Sequence, residues 1–205
     1  MKMHRGGFLR EADLRELGIG QVGENVRVHE SCVLAGLEYM RFGSNIRIDA
    51  FCVLTASAAG LVVGDFVHVG AHCTVLAAMG IRLGDFSGLS AGVRLFSHSD
   101  DYGGEHLTNP TIPADSTASG DPGPITLGRH TIVGAQSVVL PTVTTGEGVA
   151  VGGFSLVNRD LAEWGMYGGV PAKLIRPRRR DLLQKEQELR AALAAGTVVP
   201  PTARL

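Results

Sequence analysis

Aromatic residues are scarce, at 5% of the chain, and net charge is nearly absent, at −1 over 205 residues. The first shortage argues against a broad globular core built on large rings. The second leaves no basic field to recruit nucleic acid or an anionic membrane. No apolar run approaches the ~20 residues of a membrane span. The N-terminus, MKMHRGGFLREADL, lacks the apolar centre of a signal peptide, so a cytoplasmic protein is the expectation. What is abundant is glycine, at 28 residues, in a chain that is 44% hydrophobic. Small apolar residues plus glycine suit narrow, tightly stacked β structure.

From Val22 onward the chain repeats itself. Gly23, Gly43, Gly64, Gly84, Gly128 and Gly146 each open a similar phrase, from GENVRVHESCVL to GEGVAVGGFSLV. Column one, just before each glycine, is Val22, Phe42, Val63, Leu83, Leu127 and Thr145. Column two, six positions on, is Val28, Ile48, Val69, Leu89, Val133 and Val151. Column three, six further, is Leu34, Leu54, Val75, Leu95, Val139 and Val157. A period of six, with three units per repeat, describes a triangular solenoid. Each coil has three short strands and three corners, with aliphatic columns stacked inside and polar residues outside.

The rhythm breaks once, between Gly84 and Gly128. Subtracting one coil leaves an insertion of about 26 residues that must lie outside the prism. The stretch 95–124 holds two of the seven histidines (His98, His106), adjacent Asp100 and Asp101, and four of the nine prolines. Loops of this length are uncommon without a function. Residues 8–18 place Phe8, Leu9, Leu14 and Leu17 near helical spacing with Gly18 as a stop, which predicts a capping helix. Residues 161–178 read as an irregular exit, 179–195 as a helix stopped at Gly196, and the tail as frayed. The expected organisation is 1–21 as a capping segment, 22–161 as the solenoid with a loop inserted at 97–124, and 162–205 as exit, helix and tail.

Cys32, Cys52 and Cys73 each stand nine residues after their phrase glycine, in a column continued by Val93, Ser137 and Ser155. A column of small inward residues points to inert structural thiols rather than a metal site, a disulfide framework or an acyl-cysteine mechanism. His68 and His72 flank inward Val69, so both face outward and their spacing loses the meaning it has on a helix. His72 stays a candidate because one face of such a coil commonly packs against a neighbouring subunit. The run Arg176, Arg178, Arg179 and Arg180 reads as a solvated helix start or as a grip on phosphate.

The phrases, the protruding loop with histidine at its root, and the exit GGVPAKLIR together resemble the hexapeptide-repeat acetyltransferases. The likeness spans about residues 10–178 and is nearest to sugar O-acetyltransferases of the galactoside and polysaccharide groups. The resemblance implies a left-handed parallel β-helix, an exception to the right-handed crossover rule. It also implies a homotrimer with active sites between subunits and acetyl-CoA along the later coils. In that scheme His98, in FSHSDDY, takes the proton from the acceptor hydroxyl as it attacks the thioester directly. Neutral imidazole, the form a general base needs, is available near neutral pH.

The same resemblance places Ala135 (IVGAQ) and Gly153 (VGGFS) beside the pantetheine arm, and Asn158 and Arg159 (LVNRD) near the adenosine end. Pro171 and Ala172 would sit by the adenine, with Lys173 and Arg176 near the ribose phosphate. Many relatives carry Trp where this chain has Ile132. Asp100, Asp101, Tyr102, Asn109 and His72 are the substrate-side candidates, since carboxylates and amides suit sugar hydroxyls. Either aspartate could instead orient His98, or be solvated loop polarity. The expected reaction is O-acetylation of a sugar hydroxyl by acetyl-CoA, without a metal. The alternative on the same fold is N-acetylation of a nucleotide-linked amino sugar. A trimeric zinc lyase of the carbonic anhydrase type would need a histidine pattern this chain lacks, and a non-catalytic scaffold would need no CoA.

Overall fold

The structure, a computed structural model, describes residues 7–118 and 120–198. The frayed tail expected beyond Val198 lies outside the described residues. Each column lies on its own flat face. Column-one strands, from Gln21–Val22 to Thr144–Thr145, form a six-stranded sheet, face 1. Column-three strands, from Val33–Ala35 to Leu156–Val157, form a second six-stranded sheet, face 3. Column-two strands, from Val26–His29 to Gly165–Gly168, run through a nine-stranded sheet, face 2. The chain is a left-handed parallel β-helix.

Register puts like over like. Leu89 pairs with Val69 on one side and Val133 on the other, and Leu95 pairs with Val75 and Val139. The columns are sealed: Val28, Ile48, Val69, Leu95 and Leu127 are fully buried. Burying one such side chain stabilises the fold by about 1.5–3 kcal/mol. Turning from face 1 to face 2 requires left-handed backbone, at φ +59° for Phe66, +56° for Phe86 and +57° for His130. Such a conformation costs a non-glycine residue about 1–2 kcal/mol. Ring stacking offsets it, with centroids 4.6 Å apart for Phe66 and Phe86 and 5.1 Å for Phe86 and His130. The cysteines do face inward as a column. The Sγ atoms of Cys32, Cys52 and Cys73 donate to the carbonyls of Asp49, Gly70 and Ser90 on the following coil, at 3.1, 3.1 and 3.2 Å. The adjoining Cys52 thiol and burial push the Cys32 thiol far above its ordinary range, while the hydrogen bond with Cys52 holds the Cys73 thiol below it against burial.

The insertion leaves the stack intact. The strand Arg94–Phe96 ends on face 3 and Ile125–Leu127 begins on face 1. Leu127 pairs with Leu83 below and Thr145 above, so the rung closes beneath the loop.

Both ends differ from their sequence-based expectation. Phe8 and Leu9 are not helical. They form a strand antiparallel to Val28 and His29, because the open edge of face 2 offers unpaired backbone groups that a helix could not satisfy. Phe8 also sets its ring edge-on to His29 at 5.3 Å. The helix, α1, is only Glu11–Glu16; it buries Leu14, leaves Leu17 half exposed, and is followed by Gly18 at φ +94°. At the other end the exit is not irregular. Leu161 bridges to Thr145 and Tyr167 pairs with Val151, which makes a seventh coil on face 2. Lys173–Pro177 then folds back antiparallel to Gly165–Gly168 as the outermost strand.

The second helix, α2 (Leu182–Ala194), docks through one buried carboxylate. Glu186 accepts from Arg129 Nη2 at 2.6 Å, His130 Nε2 at 2.7 Å and Arg190 Nε at 2.7 Å. Arg190 also lies over the Phe86 ring, 5.1 Å from its centroid. Arg178 is not a free phosphate grip: its Nη1 donates to the carbonyls of His130 and Gly148 at 2.7 and 3.1 Å. Arg179 pairs with Asp181, and Arg180 stacks on Trp164. None of the described helices is long and apolar enough to cross a membrane.

Two outcomes follow from this packing. Leu89→Ala, in the middle of a sealed column, should lose about 2–5 kcal/mol in chemical denaturation, since neighbouring rungs cannot collapse into the gap. Burial opposes ionisation of Glu186, but the hydrogen bonds from Arg190 and His130 and the charge of Arg129 outweigh it, holding the carboxyl below its ordinary range. The clamp is therefore complete above the usual glutamate value of about 4.3 and is lost as pH falls through the lower folded value. Hydrogen exchange below about pH 4 should show α2 losing protection before the coils do.

Candidate active site

Ser97 anchors the inserted loop to the solenoid. It is fully buried; its Oγ donates to Leu76 O at 2.8 Å and accepts Met79 N at 2.9 Å. The returning strand closes the neck, with Gly123 N donating to Ser97 O and Gly120 N to Ser99 O, both at 3.0 Å. His98 lies between these ties and is exposed. A residue directly after a pinned serine has its backbone position set by the rung.

Beyond the neck the loop lies against later coils and borders a half-open cavity of about 640 Å³. Asp100, Asp101, Tyr102 and His106 line it from the loop side, and Leu140, Thr142 and Asn158 from the coils. The candidates differ in what they can do there. Asp100 and Tyr102 are exposed, Tyr102 at 93%. Asp101 is committed to the loop: its carboxylate accepts the amides of His106 and Gly103 at 2.8 and 2.7 Å, that of Gly104 at 3.2 Å, and His106 Nδ1 at 3.3 Å. Hydrogen bonding from the His106 amide, followed by that of Gly103, holds its carboxyl below the ordinary range even against desolvation. Asn109 is an Asx turn, its Oδ1 accepting from Thr111 N and Oγ1 at 3.0 and 2.6 Å, and it does not line the cavity.

The candidates implied for the donor fall elsewhere. Ala135 and Gly153 are on the corner between faces 2 and 3, at the opposite edge of face 3 from the loop. A Cβ added to Gly153 would lie 3.1 Å from Ala135 O, so the strip is bare by construction. Ile132 and Phe154 beside it are exposed, at 45% and 75%. His72 occupies the same corner on an earlier coil, stacked on Phe51 with ring centroids 5.1 Å apart. Asn158 is in the loop cavity rather than with that strip, while Arg159 is exposed. On the terminal hairpin Lys173 and Arg176 are exposed and Pro171 is half-buried. Ala172 is 4% exposed and packs into the core.

A feature the sequence reading did not single out is a trough on the outside of face 2, lined by Arg27, Arg47, Asp49, His68, Gly88, Ser90 and Ile132. The signal was present: the residue just before each column-two position runs Arg27, Arg47, His68, Gly88, Ile132. Among the described residues no three of His, Cys, Asp or Glu gather in a group that could hold a metal ion.

No family model matches the chain. Individual relatives do. The dTDP-4-amino-4,6-dideoxy-D-glucose acyltransferase of Escherichia coli is 33% identical over 87% of this chain and 93% of its own length. A mutant of AntD, an N-acyltransferase from Bacillus cereus solved with dTDP-4-amino-4,6-dideoxyglucose and coenzyme A, superposes with a TM-score of 0.87. It is 32% identical and covers 92% of this chain and 100% of that one. The putative lipopolysaccharide biosynthesis O-acetyl transferase WbbJ of Escherichia coli is 27% identical over 71% of this chain and 75% of its own. Fold, repeat and these relatives agree that the chain is an acyltransferase and belongs to the hexapeptide-repeat acyltransferase family.

Proposed function

We propose that the chain transfers an acyl group from acyl-CoA to the amino group of a nucleotide-linked amino sugar, of the dTDP-4-amino-4,6-dideoxyglucose kind. The observation that carries this reading is that the relatives matching nearly the whole chain, at 33% and 32% identity, are named for that acceptor or solved with it. Transfer to a sugar hydroxyl is the second reading, favoured by the shorter match to the O-acetyl transferase at 27%.

In this mechanism the thioester lies along the bare strip at Ala135 and Gly153, where small residues permit close approach of an extended arm. Exposed Ile132 and Phe154 flank it, and Arg159, Lys173 and Arg176, also exposed, would pair with the donor's phosphates. One subunit carries the strip and the loop on opposite edges of face 3, so a homotrimer that sets the loop of one copy against the strip of the next would assemble the site. His98 removes the proton as the sugar nitrogen attacks the carbonyl carbon. A carbon–nitrogen bond forms, the carbon–sulfur bond breaks, and the proton passes to the departing thiolate. Asp100 and Tyr102, in the loop cavity, are the residues free to meet sugar hydroxyls; Asp101 shapes the loop that carries them.

His98→Ala should sediment as wild type and bind CoA unchanged in calorimetry, yet lose about 100-fold or more in turnover. Turnover within a few-fold of wild type would remove His98 from the mechanism. An acceptor panel decides the nucleophile: release of CoA thiol with a dTDP-linked amino sugar, and not with its hydroxyl counterpart, is the expected outcome. Preference for the hydroxyl counterpart would install the second reading.

A further inference from the structure

The trough on face 2 holds a buried cation with an unsatisfied donor. Arg27 is 8% exposed, and its Nε, shielded from solvent, has no hydrogen-bond partner among the described residues. A buried donor left in this state costs about 1–3 kcal/mol unless something supplies an acceptor. Neighbouring charges do not: Arg47 and Arg10 lie near enough to depress its basicity further, after burial itself, and outweigh Glu11 and Asp49. Arg47 is held ready on the same wall. Its Nε donates to Asp49 Oδ1 at 2.6 Å and its guanidinium lies 5.3 Å from the Phe8 ring centroid, while His68 Nε2 reaches the other Asp49 oxygen at 2.8 Å. Asn25 and Asn45 line the same space, a cavity of about 490 Å³.

The trough continues past Asp49 and His68 into a second cavity of about 450 Å³ floored by Gly70 and Gly88 and ending at Ser90 and Ile132. A Cβ added to Gly88 would have no atom nearer than His68 O at 3.9 Å, so the space there is open. Arg47, His68, Gly88 and Ile132 follow one another on successive rungs. At about 4.8 Å per rung, Arg47 stands about 14 Å and Arg27 about 19 Å from Ile132, beside the strip assigned to the thioester. That is room for a diphosphate and one pyranose ring.

We propose that this trough is the acceptor subsite, in which Arg27 and Arg47 clasp the diphosphate of a nucleoside diphosphate-linked sugar and direct the sugar along face 2 towards Ser90 and Ile132. The proposal rests on the amino-sugar reading above and names the groups that would recognise its nucleotide. Coenzyme A also carries a diphosphate, but its candidate contacts, Ala135, Gly153 and Lys173, are on the later coils. The cation pair is on the first two.

Calorimetry on the full-length protein tests this with three probes: dTDP, inorganic pyrophosphate and CoA. Arg27→Met keeps the buried stem and removes the charge. It should weaken dTDP and pyrophosphate binding roughly 10- to 100-fold and leave CoA unchanged. Arg47→Gln reads the same loss from a more exposed position if the first variant fails to fold. Wild-type dTDP affinity in a folded Arg27→Met overturns the proposal, and so does a parallel loss of CoA, which would give the trough to the donor. Steady-state kinetics separates the two readings. Arg27-dependent dTDP binding with transfer only to hydroxyl acceptors keeps the anchor and removes the amino-sugar assignment. Transfer to dTDP-amino sugars with unaltered KM in Arg27→Met does the reverse.

Discussion

Backbone pairing between successive coils, at one fixed spacing, is the constraint on which everything else in this molecule depends. Each strand on faces 1 and 3 is two to four residues long and could not stand alone. Stacked, every rung supplies hydrogen bonds to the next and imposes its side-chain direction on it, so a residue's neighbours are its counterparts one coil away. Leu over Val over Leu makes a core; Cys donating to the next coil's carbonyl makes a sulfur column; Phe66, Phe86 and His130 make a stack at a corner. Extra residues can leave such a stack only between strands. The one long excursion departs after face 3 and returns before face 1.

This constraint explains what was legible in the sequence. Inward columns are a one-dimensional property: Val28, Ile48 and Val69 repeat at the period of the coil, so the solenoid can be read without coordinates. Phe8 and Leu9 cannot be read this way. Their periodicity suits a helix, but the open edge at Val28 and His29 recruits them as a strand, and that edge exists only once the first coil has formed. Tyr167 is hard to read because the seventh phrase has lost its leading glycine, although Leu161 still bridges to Thr145 and Tyr167 still pairs with Val151. The trough was missed for a different reason. Arg27, Arg47 and His68 differ in type, and their shared wall appears only when the rungs are laid over one another.

The candidate site divides along similar lines. Resemblance implies a role for His98; what the fold shows is a buried serine and a closed neck that fix the chain on either side of it. For Asp101 and Asn109 the side-chain chemistry suited a sugar, but the loop uses both for its own turns. Polar residues in an irregular loop satisfy backbone groups first, and only those left over can meet a ligand. Ala172 shows the corresponding limit for apolar residues, since a motif position can be there to pack rather than to touch.

Face 2 ends in an antiparallel strand at both extremities, Phe8–Leu9 at one and Lys173–Pro177 at the other. A parallel β-helix with bare ends is a template for its own continuation, because the last rung of one molecule matches the first rung of another. Reversing the chain direction at each end breaks that match. The hairpin's outermost strand also carries Lys173, Arg176 and proline, which blunt it further. The two reversed strands therefore act as stoppers against fibre growth, keeping a fold with the architecture of a filament as a discrete molecule.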